Sequence, residues 1–376
     1  MKKKIFITAG EKSGDLLGSR ILRNLDKNEF EFYGIGGEAM EKAGLKSIFP
    51  IEDLSVMGIF EILPRLFKIL KRIRQTSKAV LDIKPDIFIT IDSPVFSFRV
   101  AKKVKKQDRE NRIKKIHFIA PSVWAHRKNR AKKISKLYDL LLCILPFEPP
   151  YFEKYGLKTK FVGHPMFYSD AKEYEFNLVD INYNKNSNII SITTGSRKNE
   201  VKRFLPITLN VIKKLQKNFN FTYYFLATND TFSLLKKLIP KNEYIKVTKD
   251  AKIIQQSMLG ITKSGTNALE FSAFSVPCVV YYKFNRMTDS IIKMKRRKSV
   301  IKFANLVNVV ANREIIPEFV LDDCTESNIY DAVLRLITSE DERTEQIKNA
   351  GGILKQLGYK DNKFSSRLIT DEIQNV

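Results

Sequence analysis

Lys4-Ile5-Phe6-Ile7-Thr8-Ala9-Gly10-Glu11-Lys12-Ser13-Gly14-Asp15 opens with an apolar run and a glycine-serine turn, and an amphipathic stretch follows from Asp15 to about Asn24. An almost continuously apolar run of this length reads as a strand covered on both faces, since a strand with one wet face alternates instead. The unit recurs along the chain. Phe30 to Ile35 ends in Gly36-Gly37, Asp86-Ile87-Phe88-Ile89-Thr90-Ile91 runs into Asp92-Ser93-Pro94, and Ile116 to Ile119 and Leu140 to Leu145 repeat the pattern. Such strands alternating with helical stretches predict an α/β fold with a doubly wound parallel sheet.

A polar segment from Tyr168 to Asn188 interrupts the pattern, which then restarts. Asn188 to Thr193 reads as a strand, Glu200 to Asn218 as a helix and Phe221 to Ala227 as a strand, while Gly260-Ile261-Thr262 and Val276 to Tyr282 flank a helix opening at Thr266. A chain of 376 residues is long enough for two cores. The expected organisation is an N-terminal α/β domain over 1–170, a C-terminal α/β domain over 185–350, and helices over 351–376 packing back on a domain. Ligands of open α/β sheets sit beyond the carboxyl ends of the strands, so two such sheets predict a cleft between domains.

Composition narrows the class. The net charge of +25 suits a polyanionic partner, whether nucleic acid, an anionic membrane or a phosphorylated ligand, although lysine scattered over a solvated surface yields the same total. No helix-turn-helix, zinc finger or RNP motif accompanies the charge, which argues against a nucleic-acid-binding protein. Cys143, Cys278 and Cys324 lie far apart, and the histidines are His117, His126 and His164 alone, so neither a disulfide framework nor a metal cluster is expected. The apolar run after Met1-Lys2-Lys3-Lys4 fails at Gly10-Glu11-Lys12, which reads as a first strand and not as an export signal. No apolar run approaches the roughly 18 residues needed to cross a bilayer, and a cytoplasmic protein is expected.

The segments that can carry chemistry stand at strand ends. Gly10 to Asp15 is neither GxGxxG nor a P-loop, and Ser13 or Asp15 can equally be a helix cap. Asp92 closes an apolar strand, where a carboxylate costs solvation unless exposed or paired; it is a candidate general base or else another cap. Thr194-Gly195-Ser196-Arg197 combines a glycine turn, a helix start and an arginine, a combination that favours phosphate oxygens, though a surface arginine in a turn looks the same. In Lys263-Ser264-Gly265-Thr266-Asn267-Ala268-Leu269-Glu270, small residues let backbone amides approach a pyrophosphate, with Glu270 one turn further in. A capped helix with a solvated glutamate is the alternative.

These residues form an ordered set. Gly-Glu-x-Ser-Gly-Asp at 10–15, Ile-Asp-Ser-Pro at 91–94, Pro-Ser-Val-Trp-Ala at 121–125, Leu-Pro-Phe-Glu at 145–148, Val-Gly-His-Pro at 162–165, Gly-Ser-Arg at 195–197, Ser-Gly-Thr-Asn-Ala-Leu-Glu at 264–270 and Asn-Val-Val-Ala-Asn-Arg-Glu at 308–314 resemble the lipid-A-disaccharide synthase family. The match is collinear from residue 4 to about 325 and includes the single tryptophan, Trp124. The resemblance implies a glycosyltransferase-B-like pair of Rossmann-like domains. It implies transfer of 2,3-diacylglucosamine from its UDP derivative to the 6-hydroxyl of 2,3-diacylglucosamine-1-phosphate, with inversion to a β-1,6 bond. It makes Asp92 the base and gives Arg197 the departing UDP, helped by amides near Ser264, Gly265 and Thr266. Glu270 is placed at the ribose, Asn308 and Arg313 on the nucleotide side, and Glu11, Ser13 and Asp15 on the other side of the cleft. No metal or cofactor is required, and a homodimer accords with the family. Other glycosyltransferase-B-type nucleotide-sugar enzymes and a non-catalytic homologue are the alternatives.

Departures from the family pattern are Val95, where a second Asp is usual, Thr194, where proline commonly stands, and His126, where a second tryptophan is frequent. Acylated substrates also require access to a membrane, expected as peripheral contact with the cytoplasmic face of the inner membrane. Between Ile59 and Ile73, steps of 100° gather Phe60, Leu63, Leu66, Phe67 and Leu70 with four isoleucines on one half of a helix, and Arg65, Lys68, Lys71 and Arg72 on the other. That pattern suits an interfacial helix, as it suits a helix facing its own core. The run Lys293-Met294-Lys295-Arg296-Arg297-Lys298 adds basic residues to a lipid contact.

Overall fold

The computed structural model describes residues 2–54, 62–125, 129–169, 184–283 and 302–375, without the side chains of 62–66. Two compact units divide the chain, 1–172 with 361–376 and 173–360. Each is a parallel α/β sheet.

In the first unit the strands are β1 (Lys3–Ala9), β2 (Phe30–Ile35), β3 (Lys46–Ser47), β4 (Ile87–Ile91), β5 (Lys114–Phe118), β6 (Leu140–Cys143) and β7 (Lys158–Phe161). They form a seven-stranded sheet in the order β3-β2-β1-β4-β5-β6-β7. The continuous apolar runs have the expected cause. Ile5, Ile7 and Ala9 of β1 and Ile87, Ile89 and Ile91 of β4 enter the core on one face, whereas Phe6 and Phe88 enter the core on the other. Each buried Ile or Phe side chain among them contributes about 1.5–3 kcal/mol relative to exposure, so both faces must be covered by helices.

The second unit has β8 (Ile189–Thr193), β9 (Thr222–Leu226), β10 (Ile245–Thr248), β11 (Leu259–Lys263), β12 (Cys278–Tyr282) and β13 (Glu318–Val320), in the order β10-β9-β8-β11-β12-β13. Both sheets reverse their winding beside their first strand, at β1/β4 and at β8/β11. A reversal leaves the two strand ends uncrossed by any connection, so a ligand fits there.

Several elements differ from expectation. The first helix, α1, runs Lys12–Asn24 and starts three residues early; Glu11 occupies its N-cap, with no side-chain cap from Ser13 or Asp15. Strands β3, β7, β10 and β13 were too short and too polar to read from pattern. The helix Glu340–Gln356 passes through position 351, and the helix Ser366–Gln374 packs on unit 1, where Asn24 donates to Ser366 Oγ at 3.0 Å and Lys160 pairs with Glu372 at 2.9 Å.

The expected amphipathic helix is present as Ile62–Ile83. Phe60 lies outside the described residues, as do the side chains of Leu63 and Leu66, the residue His126 and the run 293–298. Ile69 and Ile73 are packed in the core, but Phe67 is 80% and Leu70 40% exposed. Lys68 and Arg72 are not free cations, because both pair with Asp53 at 2.5 Å. Among the described residues, no helix is long and apolar enough to cross a membrane.

Candidate active site

Two groups of residues stand at the two winding reversals, one in each unit. In the first unit the end of β4 is held in an unusual conformation. Asp92 and Ser93 both have left-handed backbones, with φ of 47° and 46°. Ile119, at the end of the neighbouring β5, has φ of 76°, an outlier for a β-branched residue. Non-glycine residues held this way cost on the order of 1–3 kcal/mol each and persist where the surroundings enforce them. Here the Asp92 amide donates to Phe118 O at 3.0 Å, and the Ser97 hydroxyl donates to Asp92 O at 2.7 Å. The helix Pro94–Gln107 is not capped by Asp92: Ser93 is its N-cap, and no side chain completes the cap. The Asp92 carboxyl is therefore not spent on that cap. Burial pushes its pKa up, the nearby Glu11 carboxylate pushes it further, and a hydrogen bond from the Ser93 amide pulls it partly back.

Glu11 and Ser13 are exposed at the start of α1, beside this strand end. Asp15 has another task. It is 7% exposed, and its carboxylate accepts from the amides of Gly37 at 2.7 Å, Ala39 at 3.0 Å and Met40 at 3.1 Å. Those amides open the short helix Glu38–Lys42. Asp15 thus supplies the cap missing there and holds the start of that helix against α1. A further buried carboxylate, Glu148, accepts from the amides of Ile144 and Leu145 and from Trp124 Nε1 at 3.3 Å. It ties the Leu-Pro-Phe-Glu turn to the loop that follows β5.

In the second unit, Gly195 has φ of 107° and Arg197 is an exposed N-cap for the helix Lys198–Leu215. At the adjacent strand end, Gly265 has φ of 155° and is exposed with Thr266, while Ser264 is half-buried. Glu270 lies on the helix Asn267–Ala273 and accepts from Asn267 Nδ2 at 3.1 Å; burial raises its pKa. Arg313 is exposed and donates to Asn349 Oδ1 at 3.1 Å. Asn308 has a structural task in the same region. Fully buried, it donates to Ile316 O at 2.8 Å and accepts from the amides of Ile315 and Ile316, so it shapes the following turn.

Sequence reasoning gave no role to Glu200 or to Lys263, which pair at 3.2 Å beneath the Gly195 turn. A lysine ending an apolar strand was the available signal. His117 and His164 are buried and their pKa values fall, to about 3 and about 4, because burial penalises the charged ring; both are neutral at physiological pH. Among the described residues no group of three or more His, Cys, Asp or Glu side chains is arranged to hold a metal ion.

With this geometry in view, comparison with known proteins becomes specific. Residues 5–370 match the family model described as Lipid-A-disaccharide synthetase. The chain belongs to the lipid-A-disaccharide synthase family. The lipid-A-disaccharide synthase of Rickettsia bellii (strain OSU 85-389) is 41% identical over 383 residues, covering 99% of this chain and 98% of that protein. Among solved structures, the UDP-GlcNAc 2-epimerase of Neisseria meningitidis bound to UDP-GlcNAc aligns with a TM-score of 0.60 at 11% identity, over 100% of both chains. The calicheamicin glycosyltransferase CalG4 aligns with a TM-score of 0.60 at 12% identity, over 100% of this chain and 98% of that one. The fold is therefore glycosyltransferase-B-like, and membership of the lipid-A-disaccharide synthase family makes this protein a glycosyltransferase of lipid A assembly.

Proposed function

We propose that the enzyme transfers 2,3-diacylglucosamine from its UDP derivative to the 6-hydroxyl of 2,3-diacylglucosamine-1-phosphate, with inversion at the anomeric carbon. Asp92 takes the proton of the 6-hydroxyl as that oxygen bonds to C1 of the donor, and the bond from C1 to the UDP oxygen breaks with its electron pair. UDP leaves carrying the negative charge. Arg197 and the amides around Ser264–Thr266 stabilise that charge, in the way fixed donors stabilise any charge that develops during a reaction. Glu270 receives the ribose hydroxyls, Arg313 belongs to the nucleotide side, and Glu11 and Ser13 border the acceptor.

The observation that carries this reading is the Asp92 carboxyl at a winding reversal, on a backbone held in the left-handed region and with its pKa raised above the ordinary aspartate value by burial. The lipid substrates are taken from the cytoplasmic face of the inner membrane, with exposed Phe67 and Leu70 as the apolar contact. The test is a transfer assay with UDP-2,3-diacylglucosamine and 2,3-diacylglucosamine-1-phosphate in the presence of EDTA, on wild type and Asp92→Ala. Disaccharide from wild type alone is expected. Equal product from Asp92→Ala would remove Asp92 as the base, and no product from wild type would redirect the search to other UDP-sugars.

A further inference from the structure

We infer that Lys263 is a second cation for the diphosphate of the nucleotide, held in place by Glu200; this rests on the proposed UDP-sugar reading. Lys263 is the last residue of β11, on one side of the winding reversal, and the Gly195–Arg197 turn lies on the other. Its backbone is fixed, since its amide donates to Thr193 Oγ1 at 3.3 Å and the next amide, of Ser264, donates to Tyr281 O at 2.9 Å. Its ammonium lies 3.2 Å from Glu200 Oε1 and 5.2 Å from the centre of the Tyr282 ring. The same Nζ lies 3.9 Å from where a Cβ on Gly265 would stand. The side chain thus curls along the strand end toward the exposed glycine and keeps 19% of its surface accessible.

The cost of this arrangement argues for a ligand. Glu200 is 8% exposed at its side chain, and its Oε2 has no hydrogen-bond partner among the described residues. The hydroxyl of the fully buried Thr194 also has none among them. A buried ion pair with half a carboxylate unsatisfied is a poor device for stability, because an apolar pair of similar volume does as well or better. As a holder for an ammonium that must meet an anion, it has a reason. Glu200 accepts one of the three N–H groups, the Tyr282 face attracts the charge from another side, and among the described residues nothing takes the remaining donor beside Gly265. A diphosphate is the anion that fits there, with Arg197 across the reversal.

The experiment measures UDP and uridine binding by calorimetry, and melting temperature, for wild type, Lys263→Met and Lys263→Met/Glu200→Gln. Lys263→Met alone strands the Glu200 carboxylate and should lower the melting temperature; the double variant should recover it. UDP affinity should fall at least about tenfold in both, as expected for loss of a charged hydrogen bond, while uridine affinity is unchanged. In the wild type, UDP but not uridine should protect Lys263 from reductive methylation, a readout that needs no variant. A double variant that melts like wild type and binds UDP equally well would overturn the inference and leave the proposed function standing. Absent protection of Lys263 in a UDP-binding wild type would do the same. A wild type that binds no UDP would remove both.

Discussion

Gly10 and Ser93 are in direct apposition: a Cβ added to Gly10 would overlap the Ser93 hydroxyl. The turn after β1 and the turn after β4 are therefore a single packed unit, and the left-handed Asp92-Ser93 pair is held partly by the missing side chain at residue 10. Gly10→Ala must push Ser93 aside. It is expected to cost about 1–3 kcal/mol, as overpacking of a tight contact does. Because Asp92 adjoins Ser93, kcat should fall more than stability alone explains, which chemical denaturation and transfer kinetics on one preparation would separate.

Asp92 and Glu11 provide a pH test. A base works when deprotonated, so kcat/KM rises with pH through the Asp92 pKa, which burial and the Glu11 charge hold above the ordinary aspartate value. Glu11→Gln removes the like charge and favours the carboxylate, so the acid limb should move to lower pH. A limb that stays in place would mean that burial alone sets the Asp92 pKa.

Glu148 governs a different pH response. Its carboxyl is 1% exposed, and burial pushes its pKa up to about 7 against the hydrogen bonds from Leu145, Trp124 and Ile144. A raised carboxyl pKa means that the folded state binds the extra proton. Stability from this group is complete below the unfolded value near pH 4.3 and is lost as pH rises toward 7, by up to about 1.4 kcal/mol per pH unit. In Glu148→Gln that slope should flatten between pH 5 and 7. Urea titrations across this range compare slopes, which the loss of hydrogen bonds in the variant does not confound.

Phe67 is 80% exposed on a helix whose Ile69 and Ile73 are anchored in the core. Phe67→Glu should leave the melting temperature within a degree or two, since it removes no packed surface, about ±0.5 kcal/mol being usual for such sites. It should weaken sedimentation with anionic liposomes and lower turnover on acylated substrate. Unchanged sedimentation would take Phe67 out of the membrane contact.

Much of the fold was legible because burial on both faces of a parallel sheet demands apolar runs such as Ile5 to Ala9 and Ile87 to Ile91. The short strands β3, β7, β10 and β13 were not, since an edge strand of two to four residues leaves no period to read. The positions of Asp92, Arg197 and Glu270 were visible for a similar reason: each polar group follows an apolar run closely enough that the strand end, or the helix opening just after it, places it. What Asp15 and Asn308 do was not visible. Both stand in the motifs, but each spends its hydrogen bonds on backbone amides, those of Asp15 more than 20 residues away and those of Asn308 seven and eight residues on. A one-dimensional pattern says which residue types lie near a strand end; only folding says which of them spend their hydrogen bonds bracing distant backbone. The same holds for Lys263 and Glu200, 63 positions apart, whose pairing exists because β8 and β11 are neighbours in the sheet.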